Sequence, residues 1–241
     1  DNVSHERGNF DYIMGDDVDV NEPEVARELT DWGIWYTTTT GVDGFRLDAV
    51  KSIDAGFFAP WLRTMQRYGN HPGIAVGEYW SGDASELTSY LHDCNHCMML
   101  FDVALHFRFE QASKNPEGFD LRGLAADTLY EREPTYACTF VDNHDEDRLA
   151  SKLRNPEHLY SVYTLLYTLP GIPSIYYGSE WGMEGRRTRE SDDMLRPCIR
   201  ITDEASYHTD LTDYISRLGQ IHEEQPELHM GRYQELTLTN R

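Results

Sequence analysis

The sequence predicts an α/β fold built on a parallel sheet, and three observations carry that expectation. Strand-like apolar stretches alternate with helix-like ones along most of the 241 residues, the order that covers a parallel sheet with helices. Three of the strand-like stretches end in acid: Gly44-Phe45-Arg46-Leu47-Asp48, Gly77-Glu78-Tyr79-Trp80 and Phe140-Val141-Asp142-Asn143-His144-Asp145. Asp48 and Glu78 lie about 30 residues apart, the length of one βα unit, and Asp145 follows at roughly twice that distance. Carboxylates at the C-terminal ends of barrel strands mark a catalytic mouth, and three around one cavity point to sugar chemistry.

The elements follow in order. Residues 1–20 are polar, acidic and glycine-containing, and read as a loop. Pro23 opens a helix with Asn21 as its expected cap; Val25, Leu29, Trp32 and Trp35/Tyr36 recur at helical spacing as a face for a sheet, and Gly41 ends it. Strands are expected at 42–48, 74–78, 98–105, 135–141 and 172–177. Between them, helices are expected over Phe57–Tyr68 (Phe58, Leu62 and Met65 on one side), Glu86–Leu91, Leu121–Leu129 and His158–Leu169, the last stopped by Pro170-Gly171. A loop surrounds Pro116-Glu117-Gly118, and a polar Arg/Glu loop precedes an amphipathic helix over Leu211–Glu224. These strands suffice for an open sheet but not for a closed eight-stranded barrel. There is no GxGxxG or Walker-type glycine loop, so a nucleotide-binding sheet has no support. The tail from Gly231 to Arg241 starts a β-like stretch with Tyr233, Leu236 and Leu238.

Composition narrows the function. The net charge of −21 argues against nucleic-acid and anionic-membrane partners, which need a basic face. No apolar run approaches the ~18 residues of a membrane span. The acidity reads first as solubility, with cation binding the minority reading. Cys94-x-x-Cys97 invites a metal or redox role, but no second such pair completes a zinc site, and structural thiols are expected. Cys138 sits in a strand-like stretch where a free buried thiol is ordinary. This cysteine usage leans toward a reducing compartment; oligomeric state is not readable.

The acidic motifs carry chemistry. Residues two apart in a strand point the same way, so Arg46 and Asp48 share a face, and a guanidinium beside a carboxylate favours its ionised form. Tyr79 and Trp80 follow Glu78, where their rings can desolvate it and raise it toward a general acid. One charged and one protonated carboxylate is the division of labour in glycoside hydrolysis. Exposed aromatics such as Trp80 and Tyr79 also suit stacking on sugar faces.

GFRLDAVK, VGEYW and FVDNHD closely resemble signature segments of the α-amylase family of retaining glycosidases. The likeness is greatest to liquefying bacterial and bacterial cytoplasmic members, and it extends to residues 9–14, to Asp43-Gly44 and to Leu100-Phe101-Asp102-Val103. The resemblance implies a (β/α)8 TIM-barrel catalytic domain, of which this chain carries roughly strands 4 to 8. Residues 1–22 would end an inserted calcium-binding loop region, 23–230 the C-terminal part of the barrel, and 231–241 would begin a C-terminal β domain. By position, Asp48 matches the nucleophile, Glu78 the general acid/base and Asp145 the third, transition-state carboxylate. Arg46 matches the arginine that orients the nucleophile, His144 a histidine on sugar hydroxyls, and Lys51 a lysine on the leaving-group side; Trp80 is the stacking candidate.

Read as bare sequence, the acidic cluster at Asp11, Asp16, Asp17 and Asp19 is a solvated loop. The resemblance instead places Asp11 and Asp17 at a structural calcium, with Asp19 at an adjoining metal and the Ser52 carbonyl as a further ligand. Two departures stand out. The family's Asp-x-x-x-Asn-His segment is absent and would lie upstream of Asp1, and residues 172–185 look more like oligosaccharide-processing relatives. The implied substrate is an α-glucan polysaccharide or oligosaccharide, cut internally at α-1,4 bonds. The alternatives are an oligosaccharide-trimming or glycosyl-transferring relative, or an inactive carbohydrate-binding fragment. An open sheet edge gives the expectation that residues 1–241 alone have little activity.

Overall fold

A computed structural model describes residues 18–69, 73–199, 207–231 and 233–234. The chain divides between Phe101 and Asp102 into two compact units.

The first unit runs α1 (Pro23–Thr40), β1 (Gly44–Leu47), α2 (Ala55–Tyr68), β2 (Ile74–Gly77), α3 (Ala84–Asp93) and β3 (Met99–Phe101), with a 3-10 turn at Val50–Ser52. The strands pair in parallel, Leu47 level with Gly77 and Gly77 level with Leu100. Gly77 is required by this closeness: a Cβ there would stand 2.7 Å from Met98 Sδ and 3.0 Å from a Leu100 methyl. Asp54 caps α2 and Asp83 caps α3 through their carboxylates, so both helices begin earlier than the apolar spacing alone suggests.

Helix α1 corrects two expectations. Its N-cap is Glu22, not Asn21, and no side chain caps it; Pro23 removes one of the orphan N–H groups that a cap would otherwise satisfy. Its packing face is also different. Gly33 and Thr37 are buried, whereas Trp32 and Trp35 are 50% and 58% exposed. The reason is the close approach of α2: a Cβ on Gly33 would lie 2.7 Å from both Met65 Sδ and the Trp61 ring. Trp61 donates to the Leu29 carbonyl at 3.1 Å, across the same contact.

The second unit runs α4 (Val103–Lys114), α5 (Leu129–Arg132), β4 (Ala137–Thr139), α6 (Leu149–Lys152), α7 (His158–Thr168), β5 (Ile172–Pro173), α8 (Asp210–Glu224) and α9 (Glu227–Met230). Two residues, Asp102 and Thr128, account for its first departures from expectation. The expected strand at 98–105 stops at Phe101 because the buried Asp102 accepts from the Leu105, Leu129 and Tyr130 amides, starting one helix and anchoring the next. The expected helix over Leu121–Leu129 is a 3-10 turn at Leu121–Gly123, and helix resumes only after Thr128, which caps α5. Only Ile172 and Pro173 of the 172–177 stretch pair, in parallel with Cys138 and Thr139. Cys138 is buried and free, as expected, and burial pushes its thiol up to about 12. Among the described residues no helix is long and apolar enough to cross a membrane.

Candidate active site

In the first unit, the parallel register brings two of the predicted carboxylates together. Glu78 N–H donates to the Leu47 carbonyl at 2.9 Å and Val50 N–H to the Glu78 carbonyl at 3.0 Å, continuing the ladder one step past the paired residues. Asp48 and Glu78 therefore stand level at the C-terminal ends of adjacent strands. Arg46 bridges them, with one guanidinium nitrogen on Asp48 Oδ1 and the other 3.0 Å from Glu78 Oε2. The two acids live in different surroundings: the Asp48 side chain is 73% exposed and that of Glu78 only 13%.

Burial is the main force lifting the Glu78 carboxyl above its ordinary value. Arg46 opposes it, the negative charge of Asp48 adds to it, and the Ala49 amide also opposes it. Ala49 turns through the left-handed region at φ 46°, an uncommon conformation for a residue with a Cβ and one that gathers at functional sites.

Lys51 lies in the following 3-10 turn, its ammonium 5.8 Å from the Tyr79 ring centre. Tyr79 itself is only 3% exposed and packs 5.0 Å from Tyr90. It is a wall of the core, not an open sugar platform, which corrects that part of the expectation. Trp80 is half-buried and keeps a partial face. Ser52 closes the turn, its amide on the Ala49 carbonyl at 2.9 Å.

In the second unit, the acidic strand end is held by a buried lattice of hydrogen bonds. Asp142 is buried and accepts from Ser179 Oγ at 2.9 and 3.0 Å and from the Leu149 amide at 2.8 Å. Burial raises its carboxyl, and the Leu149 and Ser179 bonds and Arg148 oppose the rise. Asn143 Oδ1 accepts from the Asp145 and Glu146 amides at 2.9 and 3.0 Å, folding the chain into a tight turn. Asp145 then meets His144 Nε2 at 3.3 Å and an Arg196 guanidinium nitrogen. Arg196 also donates to the His144 carbonyl at 3.0 Å. Behind this, the fully buried Arg148 donates to the Tyr177 and Leu195 carbonyls and stacks 4.0 Å from the Tyr176 ring centre.

The structure thus gathers Arg46, Asp48 and Glu78 in one unit and His144 and Asp145 in the other. Arg196 and Ser179 escaped the sequence reading because they lie far along the chain from the motif they serve; Arg148 stands only three residues past Asp145, but its full burial is not written in its residue type. Asp142 was inside the motif, and its burial is not written in its residue type. Of the four residues expected at metals, Asp11 and Asp17 lie outside the described residues. Asp19 is exposed, with Oδ1 accepting from the Asn21 amide at 3.0 Å.

Comparison with known proteins follows the same residues. The family described as "Alpha amylase, catalytic domain" matches residues 9–217. An α-amylase of Geobacillus stearothermophilus is 38% identical over 222 residues, 90% of this chain and 40% of that protein. The cytoplasmic α-amylase of Escherichia coli K12 is 36% identical over 185 residues, 76% of this chain and 37% of that protein. Among solved structures, the α-amylase of Geobacillus thermoleovorans complexed with acarbose superimposes with a TM-score of 0.71 at 26% identity, covering 88% of this chain and 47% of that one. The chain therefore spans less than half the length of these relatives.

Proposed function

The chain belongs to the alpha-amylase catalytic-domain family, carrying part of the TIM-barrel α/β fold of its solved relatives, and we propose that the protein hydrolyses internal α-1,4-glucosidic bonds of starch, glycogen or maltodextrin with retention of anomeric configuration. One observation carries this reading: a single arginine shared by two carboxylates of unequal burial at neighbouring strand ends.

The chemistry follows from the inequality. Glu78, shielded and held above its ordinary value, is the group that keeps a proton to give to the leaving oxygen. Asp48, largely exposed and oriented by Arg46, attacks the anomeric carbon, and water then releases the sugar with Glu78 acting as base. Asp145, fixed by Arg196 and His144, stabilises positive charge as it develops on the sugar ring. Lys51 and Trp80 border the leaving-group side and supply a charge and a partial aromatic face.

Calcium belongs to this proposal as a structural ion. Asp11 and Asp17 would supply carboxylate oxygens, with Asp19 and the Ser52 carbonyl as further donors, a hard oxygen set suited to the ion. Among the described residues, the group of three His, Cys, Asp or Glu side chains close enough to share an ion is His92, His96 and Glu133, which does not include Asp19. The ion would fix loop geometry, and no proton or sugar transfer passes through it.

The deciding experiment follows starch digestion by the full-length protein, reading product length and the anomer first released by NMR. Long dextrins of α configuration early in the reaction are expected. Small sugars alone would redirect the reading to an oligosaccharide-trimming enzyme, and a β anomer would overturn the mechanism.

A further inference from the structure

Between α3 and β3 the chain closes a tight turn that carries two thiols. Cys94 ends α3 with its amide on the Tyr90 carbonyl at 2.9 Å, and the Cys97 amide returns to the Cys94 carbonyl at 3.3 Å. Asn95 and His96, between them, both lie in the left-handed region, at φ 61° and 51°. That conformation is uncommon for a residue with a Cβ, and here it turns Cys97 back toward Cys94. Positive φ at both central positions marks a type I′ turn, whose ends come within about 7 Å of each other. A disulfide spans Cα atoms about 4.4–6.8 Å apart. Both residues are thiols, Cys94 with no exposed surface and Cys97 half-buried. Their sulfurs already meet, the Cys97 thiol hydrogen-bonding the Cys94 sulfur.

We propose that Cys94 and Cys97 are a reversible dithiol–disulfide site, oxidised by small-molecule disulfides with the turn already in place. Its chemistry does not depend on what the protein hydrolyses. Cys97, the accessible sulfur, attacks one sulfur of a small disulfide R–S–S–R as its thiolate, breaking that bond and releasing one R–S⁻. Cys94 Sγ then attacks Cys97 Sγ, closing the intrachain bond and expelling the second R–S⁻. Two thiols lose two protons and two electrons, and the small disulfide is reduced to two R–SH. The hydrogen bond between the sulfurs prepares the first step. It pulls the Cys94 thiol below its ordinary value against the effect of burial. The same bond, with burial and the Cys94 charge, pushes Cys97 up, while Arg63 on α2 opposes that rise. The two sulfurs titrate as a unit, so the pair gives up its first proton more readily than an ordinary thiol and its second less readily. A loop this short gains little from being cross-linked, which keeps the bond reversible. The bond would tie the end of α3 to the start of β3, the strand paired with the one that leads to Glu78.

The test equilibrates the native full-length protein in buffers of graded oxidised-to-reduced glutathione ratio, and the same protein unfolded in urea. Acid quenching, alkylation of free thiols and trypsin then release the peptide spanning residues 68–108, which holds Cys94 and Cys97 and neither Cys138 nor Cys198. Mass spectrometry of that peptide is expected to show the loss of two hydrogens and no alkyl group, restored to two alkylated thiols after dithiothreitol. The native protein should reach half-oxidation at a several-fold lower ratio than the unfolded chain, because the turn has already brought the sulfurs together. In Cys94→Ser the peptide is expected to stop at one glutathione on Cys97. Two alkylated thiols in the native protein at a ratio that oxidises the unfolded chain overturn the site. A single glutathione held on Cys97 while Cys94 is present overturns closure of the pair. Equal half-oxidation ratios in the native and unfolded protein overturn the role of the turn.

Discussion

The two units place acid at a strand end by opposite means. In the first, Arg46, Asp48 and Glu78 are organised by strand register alone: the arginine is two residues from one acid, and the neighbouring strand delivers the other. In the second, Asp145 is organised by distant chain, with Arg196 reaching it and Arg148, Asp142 and Ser179 locking the loop behind it. The first arrangement is open and backbone-strained at Ala49, whereas no residue from Phe140 to Leu149 has positive φ. The lesson is that two acids can be paired by the sheet alone, while an acid beyond the strand end needs a buried scaffold of its own.

The sharpest break in this comparison is catalytic. Asp48→Asn and Glu78→Gln are each expected to lower kcat on starch by at least about 10⁴-fold. Only Glu78→Gln should recover the first step on an activated aryl maltoside, whose leaving group needs no proton, read as a rapid burst of the aryl alcohol with slow turnover after it because the base of the second step is also lost. Recovery in Asp48→Asn would reverse the two roles.

Next come the two arginines. Arg46→Gln is expected to cost roughly 10²-fold in kcat and under about 1 kcal/mol in stability, because the pair it serves is partly exposed. Arg148→Met strands the Tyr177 and Leu195 carbonyls and is expected to cost about 2–3 kcal/mol in urea unfolding. A larger stability loss in Arg46→Gln than in Arg148→Met would erase the distinction between register and scaffold.

A third measurement reads the coupling within the pair. Removing the Arg46 cation disfavours the charged carboxylate, so Arg46→Gln should move the Glu78 titration further up. Removing the Asp48 anion favours it, so Asp48→Asn should move the titration down. Carboxyl ¹³C NMR across the pH range checks both signs, and an unmoved titration in both variants would uncouple the acids. The smallest effect concerns strain. Ala49→Gly relieves a left-handed Cβ and is expected to stabilise by ~0.5–1 kcal/mol in thermal unfolding.

Much of the first unit was legible because its information is local. Alternation, spacing and the period of two in Arg46-x-Asp48 need only a few residues of context. The misreadings came where a distant surface decided the outcome. Trp32 and Trp35 have the apolarity of a packing face, but α2 comes so close that only Gly33 and Thr37 fit beneath it. Tyr79 follows a predicted acid as a platform would, but Tyr90 claims its ring. Arg196 had no signature at all: its partnership with Asp145 spans 51 residues, and no periodic pattern carries across an irregular loop.

The shared guanidinium between Asp48 and Glu78 has a consequence in time as well as space. In the proposed mechanism, an ester formed at Asp48 would carry no charge, so the repulsion that helps Glu78 hold its proton would vanish while the pull of Arg46 remained. Glu78 would then have just given its proton away and have less reason to take one back. The same three side chains would work as a ratchet: forming the bond would reset the acid as a base, with no group having to move.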